Sequence, residues 1–296
     1  MSKLSMTMSH NSPLSRIYDY GLLFKFRLTI LVVISAVLAF LIGSESVNYT
    51  KLWMLALGGF LITGSSNALN QIYERKTDKL MKRTQNRPLP DGRMTITEAM
   101  IVSIIAGASG FFLLTYFLNL KSGLLGLFGL LSYAFAYTPL KRVTPFAVFV
   151  GAFPGAVPTL LGWVAATNTF SFEGWILFAI QFIWQFPHFW AIAWLMHDDY
   201  QNAGFQLLPA GGKNNASALQ TTIYTFTLIP LGLVPYYSGM GGKISAIVIT
   251  LAGLVFFFQS FRLLKYCTDE AAKKLMFGSF IYLPVVLIAL VLDKIH

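Results

Sequence analysis

One cysteine in 296 residues, Cys267, rules out an internal disulfide and any CxxC metal or heme-attachment motif. Charge is scarce as well: Asp, Glu, Lys and Arg make up 11% of the chain, against roughly 25% in ordinary soluble domains. No ten-residue segments of alternating polarity occur, which excludes a transmembrane β-barrel. No A-x-A-like cleavage site follows the first apolar run, so that run, preceded by Lys25 and Arg27, reads as a retained helix and not a signal peptide. What fills the chain is apolar: 55% of residues are hydrophobic and the mean hydropathy is +0.62. These residues come in blocks of roughly 20, the length that crosses a bilayer as a helix.

The expected fold is therefore an all-α polytopic membrane protein. Nine spans are expected, at 26–43, 52–73, 97–118, 122–140, 144–166, 172–196, 217–237, 243–261 and 277–293. Residues 1–15 read as a flexible polar tail and 16–296 as a single integral membrane domain. Placing the N-terminus in the cytoplasm puts 18 of the 22 Lys and Arg residues on the cytoplasmic side and 4 outside, which fixes the orientation by the positive-inside rule. The net charge of +10 is then mostly topology and does not suggest a nucleic-acid partner. Acids have little part in that rule, yet nine of the twelve also lie inside, concentrated after spans 2 and 6. Both loops run to a Leu-Pro, Leu89-Pro90 and Leu208-Pro209, a hint of a diverged repeat.

The first loop, NQIYERKTDKLMKRTQNRPLP (70–90), carries eight charged side chains. Asn70, Glu74 and Asp78 are spaced i, i+4, i+8 and share one face if span 2 stays helical beyond Tyr73. Asn67 and Gln71 extend the polar face into the membrane, where polar groups line a bundle interior or a watery cavity. The row is roughly 12 Å long, too long for one Mg²⁺ to reach both ends. A diphosphate bridged by two Mg²⁺ ions suits it, with Arg75, Lys82, Arg83 and Arg87 taking the remaining phosphate charge. The bland reading is a solvated interfacial helix, and it suffices for Lys76, Lys79 and Arg93 and for Glu98 as a first-turn acid.

The second loop follows WQFPHFWAIAWLMHDDYQNAGFQLLP (184–209). Gln181, Gln185 and His188 form another stripe, Pro187 is expected to kink the helix, and Asp198, Asp199 and Tyr200 look like a second metal-diphosphate station facing the first. Adjacent acids cannot share a helix face, so one of the pair is expected to reach the metal. For His188 the competing reading is a buried imidazole bonded to a neighbouring helix. A third stretch places Lys141 and Arg142 in a basic turn, either over the same diphosphate or as interfacial anchors.

These stretches together resemble the intramembrane, UbiA-type prenyltransferases over roughly residues 15 to 293. The carrying motifs are N-x-x-x-[DE]-x-x-x-D with M-x-R-T-x-N-R-P-L (Asn70 to Leu89), W-Q-x-P-H-F with D-D-Y-x-x-A-G-x-x-x-L-P (Trp184 to Pro209), and the Tyr137-Thr138 to Lys141-Arg142 turn. The R-T-x-N-R-P and W-Q-x-P-H-F strings are similar to the branch of the family whose acceptor is heme. One departure is Phe26, where the family commonly has proline between two bases; it is expected to touch no chemistry.

The resemblance implies a central cavity open to the cytoplasmic side, farnesyl diphosphate and heme B as substrates, and Mg²⁺, two ions, as cofactor. It implies catalytic and metal-holding roles for Asn70, Glu74, Asp78, Asp198 and Asp199, diphosphate binding by Arg75, Lys82, Arg83, Arg87, Lys141, Arg142 and Tyr200, and acceptor binding by His188, Trp184 and Gln185. It implies a bacterial inner membrane, lipids around the bundle, and contact with heme A synthase. Two rivals stand beside it: a sister enzyme acting on a quinone precursor, and a transporter, which also uses broken helices and buried polar groups.

Overall fold

The computed structural model describes residues 13–295. Among these, nine helices are long and apolar enough to cross a membrane: α1 Phe26–Gly43, α2 Tyr49–Asp78, α3 Ile96–Phe117, α4 Leu120–Leu140, α5 Ala147–Thr167, α6 Phe172–Leu195, α7 Asn215–Tyr237, α8 Lys243–Tyr266 and α9 Asp269–Leu292. The chain is an integral membrane protein of the all-α kind. Helix ends depart from the apolar runs where polar residues carry the helix onward. Thus α9 begins at Asp269, well before the expected 277, because Thr268 caps it and Asp269 and Glu270 complement its N-terminal dipole.

Helix neighbours repeat across the chain. In the first half α1 packs on α2, α2 on α3 and α3 on α4; in the second α5 packs on α6, α6 on α7 and α7 on α8. The last helix, α9, packs on α8 and α6 and touches α1. The middle of the bundle is α5, whose most apolar window is 78% buried against 22% for α3. Its Gly162 permits the contact with α1, since a Cβ there would lie 2.0 Å from the Ala36 carbonyl oxygen.

Residues 1–12 of the expected tail lie outside the described residues, and residues 13–15 open a helix, Pro13–Leu23. Leu14, Ile17 and Tyr18 leave one face of it exposed by 64–67%. The other face is pinned by Arg93 to Asp19 at 3.0 Å and by Arg16 and Tyr20 to Glu98, each at 2.8 Å. Arg93 and Glu98 are therefore anchors for this helix rather than plain topological charge. The helix turns into α1 at Lys25, whose φ of 49° is left-handed.

That bend explains two buried amides. Gln71 Nε2 donates to the Leu22 and Leu23 carbonyls at 2.9 and 2.7 Å, and Asn67 Nδ2 donates to Thr29 Oγ1 at 3.1 Å. The last carbonyls of a helix lack partners within it, and these side chains supply them. Asn67 and Gln71 thus hold the bend, and the expectation that they line a cavity is corrected.

Candidate active site

The helix α2 does continue to Asp78, so Asn70, Glu74 and Asp78 lie on one face, and all three are buried, at 0, 4 and 0% exposure. Each meets a cation from elsewhere in the chain. Lys25 Nζ donates to Asn70 Oδ1 at 2.8 Å, Lys141 Nζ lies 2.6 Å from Glu74 Oε1, and Arg87 Nη1 donates to Asp78 Oδ2 at 2.8 Å. Arg142 completes the group by donating to Thr77 Oγ1 at 3.0 Å. The basic turn thus lies against the Glu74 face of α2. Burial, with Arg87 and Lys141 adding repulsion, pulls the Lys25 pKa well below the usual lysine value. Burial also works against the charge on Lys141, but Glu74 together with Tyr133 and Tyr200 outweighs it and holds that pKa above the ordinary range.

Aromatic rings close over this group. Residues Ser132–Tyr137 of α4 form a π-helical turn, a feature that recurs at functional sites. It places Tyr133 and Tyr137 with ring centroids 5.2 Å apart, at 6.0 Å from Lys25 Nζ and 4.9 Å from Lys141 Nζ respectively. Just past the turn, Thr138 Oγ1 accepts from Asn70 Nδ2 at 3.1 Å. Neither Lys25 nor Tyr133 follows from the motif spacing, and Phe26 is not remote from the chemistry: its neighbour Lys25 touches Asn70.

The other expected diphosphate residues are placed differently. Arg75 turns back onto the Ile72 carbonyl at 2.8 Å, and Lys82 and Arg83 are exposed. Among the described residues none of the three forms an ion pair with Glu74 or Asp78.

The second loop reaches the first through apolar contacts. Met81 packs with Ala203 and Phe205, and the Phe205 ring lies 5.5 Å from Lys141 Nζ. A cavity of about 520 Å³ is lined there by His197, Tyr200, Gln201, Phe205 and Gln206 among others. Asp198 and Asp199 sit in the first turn of a short helix, His197–Asn202, with Asp198 exposed and Asp199 half-buried. Among the described residues no three of His, Cys, Asp and Glu are gathered closely enough to hold one ion.

The W-Q-x-P-H-F string divides between two neighbours. Gln185 Nε2 donates to the Ala152 and Gln181 carbonyls, each at 3.1 Å, and Gln181 Nε2 donates to the Gly155 carbonyl at 2.8 Å. A Cβ at Gly155 would lie 1.8 Å from Gln185 Oε1, so glycine is required there. Gln185 thus joins α6 to the Pro154- and Pro158-containing α5, with its amide donors on backbone. Trp184 and His188 face α9 instead. Trp184 Nε1 donates to the Ser279 carbonyl at 2.9 Å, His188 stacks on Trp184 at 4.8 Å, and His188 Nδ1 is 2.7 Å from Ser279 Oγ. Ser279 gives its own proton to the Met276 carbonyl, so His188 Nδ1 carries the proton of this pair and Nε2 keeps its lone pair. The α6 helix runs through Pro187 to Leu195 and ends at Met196.

The donor set fits Mg²⁺, which takes hard oxygens and shares them with substrate phosphates. Asp78 Oδ1 is buried and has no hydrogen-bond partner among the described residues, an arrangement that costs free energy unless something binds there.

A buried carboxylate row met by basic side chains from three other segments, flanked by aromatic rings among the membrane helices, has the chemistry to hold a cation and an anionic group together. The model of the UbiA prenyltransferase family matches residues 31–283, and the chain belongs to that family. A protoheme IX farnesyltransferase from Cytophaga hutchinsonii is 48% identical over 284 residues, covering 95% of this chain and 99% of that one. Among solved structures, a digeranylgeranylglyceryl phosphate synthase shares the fold with a TM-score of 0.79 at 21% identity, over 94% of this chain and 98% of that one. A UbiA homolog from Archaeoglobus fulgidus, bound to GPP and Mg²⁺, has a TM-score of 0.67 at 14% identity, covering 92% and 99%. Membership in a prenyltransferase family removes the transporter reading.

Proposed function

We propose that the chain transfers the farnesyl group of farnesyl diphosphate to a vinyl group of heme B and adds water, giving a hydroxyethylfarnesyl heme. The observation that carries the chemistry is the buried Glu74–Asp78 face with Lys25, Arg87 and Lys141 on it. The choice of acceptor rests on the near full-length likeness to the Cytophaga hutchinsonii enzyme.

In this reading Asn70, Glu74 and Asp78 hold one Mg²⁺ at the diphosphate, and Asp198 and Asp199 serve a second. Bound Mg²⁺ offsets the negative charge that grows on the leaving group. Lys25, Arg87, Lys141 and Arg142 grip phosphate oxygens, the arginines two at a time. Tyr200 stands at the cavity wall, and Lys82 and Arg83 serve at the exposed rim. When the C1–O bond breaks, its electron pair leaves with the diphosphate and C1 becomes an allylic cation. The Tyr133 and Tyr137 ring faces, already beside two ammonium groups, stabilise that cation by their quadrupoles. The vinyl π electrons attack C1, the porphyrin delocalises the new positive charge, and water adds there with loss of a proton. Aromatic packing keeps water from C1 until the vinyl attacks. His188 Nε2, with its lone pair available, is placed to ligate the heme iron, and Trp184 orients its ring.

The farnesyl chain lies in a central cavity open to the cytoplasmic side, the side that bears the 18 bases. The membrane is the bacterial inner membrane, and contact with heme A synthase passes the product onward.

Purified protein in detergent, given farnesyl diphosphate, Mg²⁺ and heme B, should yield a heme heavier by a farnesyl group and a hydroxyl, detected by chromatography and mass. Chelation of Mg²⁺ or Glu74→Gln should abolish it. Unchanged heme with prenylation of a quinone precursor would remove the acceptor and keep the transfer. Inertness toward both would sink the reading.

A further inference from the structure

Basic side chains already occupy the ligand face. Glu74 and Asp78 are each paired, with Lys141 and Arg87, and a third basic side chain, Lys25, donates to Asn70 from a buried position that disfavours its charge. The placement is uneven. Lys141 takes Glu74 and Lys25 takes the only oxygen of the Asn70 amide, whereas Arg87 takes Asp78 Oδ2 and leaves Oδ1 without a partner. A dication binding Glu74 and Asn70 meets the Lys141 ammonium and the Lys25 amine hydrogens at hydrogen-bond distance from the oxygens it needs. Repulsion at such separations is strong in a partly desolvated site. A bare Mg²⁺ is therefore disfavoured here, and so is a bare diphosphate, which meets two buried carboxylates.

We propose that Lys25 and Lys141 are resident occupants of the Asn70 and Glu74 oxygens that exclude bare Mg²⁺ from the ligand face, so that metal and diphosphate are admitted as one unit. The incoming diphosphate draws both side chains off Asn70 and Glu74 and onto its own oxygens. The metal that it carries takes the side-chain oxygens so released. Every charge then has a partner before and after binding, and no state leaves a buried carboxylate bare, which is the costly condition. The proposal rests on the diphosphate-binding reading of this face and adds to it an order of events.

The test is calorimetric titration of the full chain in detergent with three titrants: MgCl₂ alone, inorganic pyrophosphate with chelator, and the two premixed. Wild type should take the premixed pair on the order of tenfold or more tighter than either alone, within the usual span of coupling between sites. Lys141→Met should tighten Mg²⁺ alone by about tenfold, weaken pyrophosphate, and shrink the coupling. Arg16→Met, at the exposed pair with Glu98 and away from this face, should leave the affinity for Mg²⁺ alone unchanged. Should Lys141→Met fail to give a folded protein by its thermal transition, Lys25→Met reads the same quantity at Asn70. Wild type binding Mg²⁺ alone as tightly as the premixed pair overturns the proposal. So does an unchanged affinity for Mg²⁺ alone in whichever lysine variant folds. Failure of wild type to bind the premixed pair, together with absence of farnesyl transfer, overturns the diphosphate site itself.

Discussion

Glu74 and Asp78 are inside the bundle with a cation within 2.6 and 2.8 Å, whereas Asp198 and Asp199 ride a short helix at its end, one exposed and one half-buried. The first pair is fixed by a continuous α2 and by bases arriving from the segment after α2 and the turn after α4. The second pair hangs on a six-residue helix followed by the glycine-containing stretch 203–212. Electrostatic stabilisation is strongest where charges are held in a dry site and need no rearrangement when the reaction charge develops. In the proposed function the first pair is therefore the one expected to serve transition-state stabilisation and the second the delivery of metal and substrate.

The largest effect should come from the first pair. Glu74→Gln or Asp78→Asn should lower kcat by about 10²–10³, measured as farnesyl transfer under saturating substrate. Asp199→Asn should act mainly on KM for farnesyl diphosphate with Mg²⁺, and an equal fall in kcat would erase the distinction drawn here. Next in size is stability. Lys141→Met strands Glu74 in a buried setting and should cost about 3–5 kcal/mol, read from thermal or denaturant unfolding in detergent. Removing the exposed Arg16 from Glu98 should cost about 1 kcal/mol or less.

A smaller effect separates the two halves of the W-Q-x-P-H-F string. His188→Ala should change the absorption spectrum of added heme and leave pyrophosphate affinity alone. Gln185→Leu removes two hydrogen bonds to backbone and should lower stability by about 1–3 kcal/mol with the heme spectrum intact. Identical behaviour of the two variants would mean that both residues serve the same helix junction.

What could be read without coordinates follows the range of the interaction. The i, i+4, i+8 row is local, so the helical period alone places Asn70, Glu74 and Asp78 on one face. Which helix a polar residue faces is not local. Gln181 and Gln185 looked like a cavity stripe because the sequence does not show that α5 carbonyls meet them. Lys25 looked like a topological charge because its role depends on a left-handed bend and on an amide 45 residues away. Lys141 stayed undecided for the same reason. The Pro13–Leu23 helix had a signal in its spacing, Leu14, Ile17 and Tyr18 at i, i+3 and i+4, but its 11 residues are too few to stand out beside nine membrane spans.

The measurement that bears most directly on the central claim is single-turnover farnesyl transfer to heme B by wild type, Glu74→Gln and Asp199→Asn at saturating farnesyl diphosphate and Mg²⁺. The account predicts a rate lost by about two orders of magnitude or more in Glu74→Gln and largely retained in Asp199→Asn. Equal losses in both variants, or a loss in Asp199→Asn alone, would contradict it.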